Sequence, residues 1–431
     1  MTKTHLLRRG LAMLTIIGAL CTGGGAKAEQ PLVAAITQGK PIIDIRTRFE
    51  SVDDENCATC KGRTAEAFTA RARFGYETGY WNSLQLAFDF DKVWALGAEH
   101  YNSTRNGKTL YPTIADPDLI TLNRLQLTYA SNFNTKFVLG RQRLIFGNQR
   151  FIGNSGWRQH EQTFNGLVAT NTSIKDLTVS YGYISRVNRI YGPDLPSPTT
   201  GQASYFTCRC HLVDAVYVGI PTLRLEAYGH LLDLRQHNVP STPAYRLSTA
   251  TYGVRAEEKY PLSSTVTLLL NGEFAHQTDF GRNPLQLKLD YYTAEGGFSY
   301  KGFTGLAAYE VLQGNGTIGF STPLATLHAF NGWADLFLTT PANGLTDLNG
   351  KLAYTMKDVW LFKSIVTMAR YHVFEAWRGT AEFGTEIDAS VEFNVDKNAS
   401  FLLKYAGFDG AGGAGGFKDK EIFWAQAQWK L

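Results

Sequence analysis

The chain has 431 residues, with 42 lysines and arginines against 38 acids, 26 phenylalanines, 21 tyrosines and only four methionines. That length could supply two or three soluble domains, yet no linker, composition shift or low-complexity boundary divides it. The positive balance sits in the first 28 residues, where Lys3, Arg8, Arg9 and Lys27 stand without an acid. The 38 basic residues beyond them equal the acids, so nothing points to a nucleic-acid partner.

The N-terminus reads as an address. Lys3, His5, Arg8 and Arg9 form a positive region, residues 10–20 are apolar, and Ala26-Lys27-Ala28 supplies small residues for a signal peptidase. Cleavage is expected before Glu29. A lipoprotein signal through Cys21 is disfavoured, because Leu20 stands where a small residue is wanted. An apolar run of about eleven residues is too short to anchor in a bilayer, and no later run approaches the roughly 20 residues of a membrane helix. The expected organisation is a signal peptide, 1–28, and one domain, 29–431.

From there the dominant period is two. In 42–51, Ile43, Ile45, Thr47 and Phe49 alternate with Asp44, Arg46, Arg48 and Glu50. In 69–77, Ala70, Ala72, Phe74 and Tyr76 alternate with Arg71, Arg73 and Glu77; in 83–91, Leu84, Leu86, Phe88 and Phe90 oppose Gln85, Asp89 and Asp91. In 119–129, Leu125, Leu127 and Tyr129 oppose Arg124, Gln126 and Thr128. Further strands are expected over 136–145, 164–171, 177–189, 211–220, 223–234, 248–259, 265–276, 288–300, 303–312, 347–357, 359–373, 382–395, 399–408 and 420–431. The count is about eighteen, each near the ten residues of a tilted membrane strand.

Short connections at 79–82, 131–135, 260–264 and 301–302 alternate with long polar loops at 52–63, 92–118, 191–207, 235–246, 277–287, 314–346 and 409–419. This asymmetry predicts an all-β, transmembrane antiparallel β-barrel with short periplasmic turns and long extracellular loops. A soluble sandwich or propeller would show turns of similar length at both ends. In hydrocarbon every N–H and C=O must be paired, which only a closed barrel achieves with strands. The localisation expected is the cell outer membrane, with membrane lipid and lipopolysaccharide around the barrel and the barrel-assembly machinery as a partner during insertion.

Charge facing lipid is costly at the membrane centre. Arg46, Arg48, Arg71, Arg73 and Arg124, which oppose the apolar set of their strands, are therefore expected to face the lumen. Arg141 and Arg143 share parity with Phe137 and Leu139, so either the strand bulges near Gly140 or those apolar residues also point inward. Arg150 and Arg158 lie in an irregular segment that could fold inside as a constriction. Guanidinium is permanently charged and offers a planar fork to carboxylates, so such a lumen would favour anions. The competing role is structural, with Asp44, Glu50, Glu77, Asp89 and Asp91 as wall partners.

Cys57 and Cys60 form a CxxC pair and Cys208 and Cys210 a CxC pair. In an oxidising compartment disulfides that staple loops are expected, with three connectivities open. No histidine has the spacing that would make them a zinc site. No cofactor or metal is expected, nor an enzyme. Gly153-Asn154-Ser155-Gly156-Trp157 lacks the second glycine of a nucleophile elbow, and His160-Glu161 lacks the second histidine of a zinc-protease helix. The glycines of 410–416 form a flexible loop.

Two stretches resemble the alginate-export family of outer-membrane porins. One is 139–166, with Gly140-Arg141-Gln142-Arg143, Gly147-Asn148-Gln149-Arg150-Phe151 and Gly156-Trp157-Arg158-Gln159. The other is 320–350, with Leu327-His328-Ala329-Phe330-Asn331-Gly332-Trp333-Ala334-Asp335 leading to Thr346-Asp347-Leu348. The resemblance implies a monomeric barrel of about eighteen strands with an arginine-rich constriction for an anionic polysaccharide, and marks Arg141, Arg143, Arg150 and Arg158 as lumen residues. The chain departs from the usual barrel ending in carrying Leu431 in place of an aromatic residue. The expected function is a passive channel for anionic solutes, including a polysaccharide such as alginate. The alternative is a structural or adhesive barrel plugged by its loops.

Overall fold

Alternation becomes architecture through burial. Along the first strand Arg48, Glu50 and Val52 are buried while Ile45, between inward Asp44 and Arg46, is 45% exposed. The computed structural model describes residues 32–193, 203–236, 244–412 and 416–431. The signal peptide expected over 1–28 lies outside the described residues, as do parts of the loops expected over 191–207, 235–246 and 409–419.

The first half of the wall comprises β1 (Lys40–Asp54), β2 (Ala65–Glu77), β3 (Leu84–Ala95), β4 (Leu119–Ala130), β5 (Thr135–Gln142), β6 (Thr163–Asn171), β7 (Leu177–Asn188), β8 (Tyr205–Ile220) and β9 (Leu223–Leu232). After Asp233, β9 resumes in the same register as Leu234–Gln236, with Leu234 opposite Cys208. The second half comprises β10 (Thr249–Pro261), β11 (Val266–Asp279), β12 (Lys288–Tyr300), β13 (Phe303–Leu312), β14 (Leu345–Val359), β15 (Phe362–Glu375), β16 (Glu382–Asn394), β17 (Ala399–Gly410) and β18 (Lys420–Lys430). Each strand pairs antiparallel with the next, and β18 pairs with β1 from Asp44↔Lys430 to Asp54↔Lys420. The described residues thus form one closed barrel of eighteen strands. Closure removes the edges that hydrocarbon would not tolerate.

The outer face carries Phe68, Phe74, Leu86, Leu167, Val254, Leu270, Phe298, Leu352, Phe401 and Phe423, all exposed. Exposed apolar surface on this scale is a lipid interface. No described helix is long and apolar enough to cross a membrane. One short helix, α1 (Leu32–Thr37), precedes β1 and has no counterpart in the strand pattern. It sits on the short-turn side, where Gly79 N–H donates to the Ala35 carbonyl at 2.7 Å and Tyr76 Oη to the Ile36 carbonyl.

Three expectations need correction. β8 begins at Tyr205 rather than near 211, so Cys208 and Cys210 lie within a strand, both facing inward and buried. The disulfides are local, Cys57–Cys60 and Cys208–Cys210, and neither ties one loop to another. β5 is short, ending at Gln142, because the chain there leaves the wall and turns into the barrel. Gly140 allows that departure. Its φ is +122°, and a Cβ would lie 2.3 Å from the Leu125 carbonyl oxygen.

Candidate functional site: a lumen with two inward loops

Residues 143–162, between β5 and β6, and residues 313–344, between β13 and β14, fold into the lumen and bind each other. Gly153 N–H donates to the Leu324 carbonyl at 2.9 Å, Thr326 N–H to the Gln149 carbonyl at 3.0 Å, and Gln162 Nε2 to the Leu324 carbonyl at 3.0 Å. Apolar side chains drive this inward course. Ile152 and Phe320 are fully buried, and the Phe151 ring packs 5.3 Å from Tyr228 and 5.4 Å from Tyr291 of the wall. A loop carrying such residues gains by filling the barrel interior instead of exposing them.

The inward arginines of β1 and β2 hold the first loop. Arg46 stands directly opposite Arg71, and Asp44 opposite Arg73. Arg46 Nη1 donates to the carbonyls of Gly156 and Trp157 at 3.1 and 3.2 Å. Arg48 Nη2 donates to the Trp157 carbonyl and to Gln426 Oε1, both at 2.7 Å, with its guanidinium 3.9 Å from the Trp157 ring centre. Arg71 pairs with Asp44 at 2.6 Å and reaches the Gln159 carbonyl. Arg73 grips Asp91 with two nitrogens, at 2.6 and 2.8 Å, and meets Glu161 of the loop at 3.1 Å. Arg124 of β4 pairs with Asp89.

The loop's own arginines point back at the walls. Arg158 contacts Glu50 at 3.0 Å, Asp116 at 3.5 Å and Asp335 at 3.8 Å, and so joins β1, the loop after β3 and the second inward loop. Arg150 pairs with Glu310 at 2.9 Å and donates to Asn331 Oδ1 at 2.8 Å. Arg143 chelates Glu161 at 2.5 and 2.8 Å, with 31% of its side chain exposed. Burial alone would raise the Glu161 carboxyl, but Arg73, Arg143 and Asn123 override it and hold it at about 2.

Arg141 is the exception among the expected lumen residues. Its register, Leu125↔Arg141↔Asn165, puts it in the outward row, and its guanidinium donates to the Leu122 carbonyl at 2.7 Å. Gly140 bends the chain without flipping the next side chain inward. The eight other expected arginines converge on the first inward loop or the wall beside it.

Residues outside that expected set complete the junction. Lys404 of β17 lies 3.5 Å from the Trp333 ring centre, 4.1 Å from Trp157 and 5.1 Å from Trp424, with its Nζ 2.6 Å from His328 Nε2. His328 stacks on Trp157 at 4.7 Å and bonds Asp335 through Nδ1 at 2.9 Å. Burial, with Lys404 and Arg158 nearby, pushes His328 down to about 4 despite Asp335. Strand parity was the available signal for Lys404, since exposed Leu403 beside it forces it inward. Ser155 Oγ donates to the Ala325 carbonyl and His160 Nε2 lies against the Pro117 carbonyl, so they do not form a nucleophile–base pair.

No family model and no curated protein matches the chain. Solved structures do. OccAB2 from Acinetobacter baumannii is 16% identical with a TM-score of 0.69, over 92% of this chain and 99% of that one. OprD, an outer-membrane protein of Pseudomonas aeruginosa, is 13% identical with a TM-score of 0.66, over 95% and 98%. OpdK from Pseudomonas aeruginosa, solved with vanillate, is 13% identical with a TM-score of 0.66, over 92% and 99%. None of the three is named as an alginate exporter. The chain shares the fold of these structures, among them the outer-membrane protein OprD, and is itself an outer-membrane β-barrel.

Proposed function

We propose that the barrel is a passive channel for small anionic solutes, which pass along the arginine wall of β1, β2 and β4 beside the inward loops. The observation that carries this reading is Arg46. It faces Arg71 across the strand pair, an arrangement that costs stability. No described carboxylate pairs with it: its hydrogen bonds run to loop carbonyls and Gln428, and its buried Nε has no partner. A solute carboxylate beside the guanidinium would supply the missing counter-charge. No step involves covalent chemistry; pore radius and lumen field set the selectivity.

Export of an anionic polysaccharide such as alginate is the second reading. It is supported by the two stretches that carry the family resemblance, because both run into the inward loops. Liposome swelling separates the readings. Reconstituted barrel should admit small monocarboxylates and exclude uronate oligomers of several units. Equal entry of both would favour the polysaccharide, and entry of neither would favour a plugged barrel.

A further inference from the structure

The outer face holds a row of guanidiniums that transport does not use. Across adjacent strands the pairing runs Arg141↔Asn165↔Arg186↔Thr207↔Arg235, all pointing away from the lumen, and exposed Arg209 is the next outward residue on β8. On the other side of Arg141 the same row continues into Leu125, which is exposed and apolar. Asp233 neutralises Arg235 at 2.7 Å. Among the described residues, no carboxylate lies within ion-pair distance of Arg141, Arg186 or Arg209.

The cations are held in place. Arg141 Nε donates to Asn165 Oδ1 at 3.3 Å, Asn188 Nδ2 donates to the same oxygen at 2.8 Å, and Arg186 Nε donates to Asn188 Oδ1 at 2.9 Å. The Arg186 guanidinium lies 3.5 Å from the Tyr205 ring centre, and among the described residues its two terminal nitrogens have no acceptor. Arg141 and Arg186 are two strands apart, about 10 Å. Where β5 ends, a cavity of about 250 Å³ passes through the wall, lined by Arg141 and Arg186 together with His160 and Glu161 of the first inward loop, and among the described residues its one carboxylate, Glu161, is taken by Arg73 and Arg143.

Height identifies the partner. Below Arg186, β7 turns Leu177, Val179, Tyr181 and Tyr183 outward. A bulge at Ser185 returns Arg186 to the outer face, and the eight ladder steps from Leu177 rise about 21 Å at barrel tilt, near the roughly 25 Å of an outer-membrane apolar band. The row therefore stands at the outer interface, on the long-loop side, where guanidinium forks meet lipid phosphate. We propose that Arg141, Arg186 and Arg209 bind the phosphate groups of lipopolysaccharide in the outer leaflet.

The test needs no conductance, so it stands or falls apart from the transport reading. Purified barrel in detergent is titrated with lipopolysaccharide, with its dephosphorylated form and with inorganic phosphate, and bound lipid is read by native mass spectrometry. Wild type should bind the phosphorylated lipid at least fivefold more tightly than the dephosphorylated one, and millimolar phosphate should not displace it. R186Q/R209Q should lose most of that difference, while K363Q at the short-turn end should keep it. Heat-modifiable gel mobility reports folding, and exposed Arg209→Gln alone carries the test if the double variant fails to fold. Equal binding of the two lipids, an unaffected variant, or displacement by free phosphate would overturn the proposal.

Discussion

At the residue scale, Arg158 is the side chain on which most elements depend. It hydrogen-bonds Glu50 and lies within ion-pair distance of Asp116 and Asp335. Removing one partner of a buried ion network strands the others, at about 3–5 kcal/mol. Arg158→Gln should lower the unfolding temperature and raise the open-state current noise, both measurable on refolded protein. His328 gives the pH dependence. Burial holds it neutral in the fold, at about 4, below its ordinary 6.5. The displaced loop therefore binds a proton that the seated loop refuses, and stability falls as pH drops from about 6.5 to about 4. Single-channel noise should grow across that window in wild type and stay flat in His328→Phe. Strand parity made inward Arg46, Arg48, Arg71, Arg73 and Arg124 legible in the sequence. It did not show that most of them grip loop carbonyls, because loop destinations depend on partners far away in the chain.

At the element scale, the two inward loops behave as one unit. A Cβ on Gly153 would lie 2.2 Å from Thr326 Oγ1 and 3.0 Å from its backbone nitrogen. Gly153→Ala should force the loops apart at about 1–3 kcal/mol. Limited proteolysis near residue 325 checks this, with cleavage faster in the variant at equal barrel stability. The disulfides do something different from what their spacing first suggests. Loops of three or four residues restrict the unfolded chain by about 2 kcal/mol, against about 5 for a bridge joining the two pairs. Reduction should therefore shift denaturant stability by no more than about 2 kcal/mol for each bridge. The misplaced start of β8 has a physical cause: with its cysteines buried inward, outward Arg209 inverts the expected apolar-out pattern. The N-terminal helix escaped because six residues are too few for a helical period to register.

At the scale of the molecule, strand number, closure and loop asymmetry were readable because lipid outside and polar groups inside impose a period of two on every strand. Charge balance in the lumen was not readable. Arginine collects on β1, β2 and β4, whereas Glu226, Glu257, Glu273 and Glu295 line β9 to β12, with Arg224 and Arg255 among them. Which wall the ions follow decides the selectivity. The direct measurement is the reversal potential of the reconstituted channel across a potassium chloride gradient. Steady current is expected, with a chloride preference that falls in Arg46→Gln. A cation preference in wild type, or no steady current at all, would contradict it.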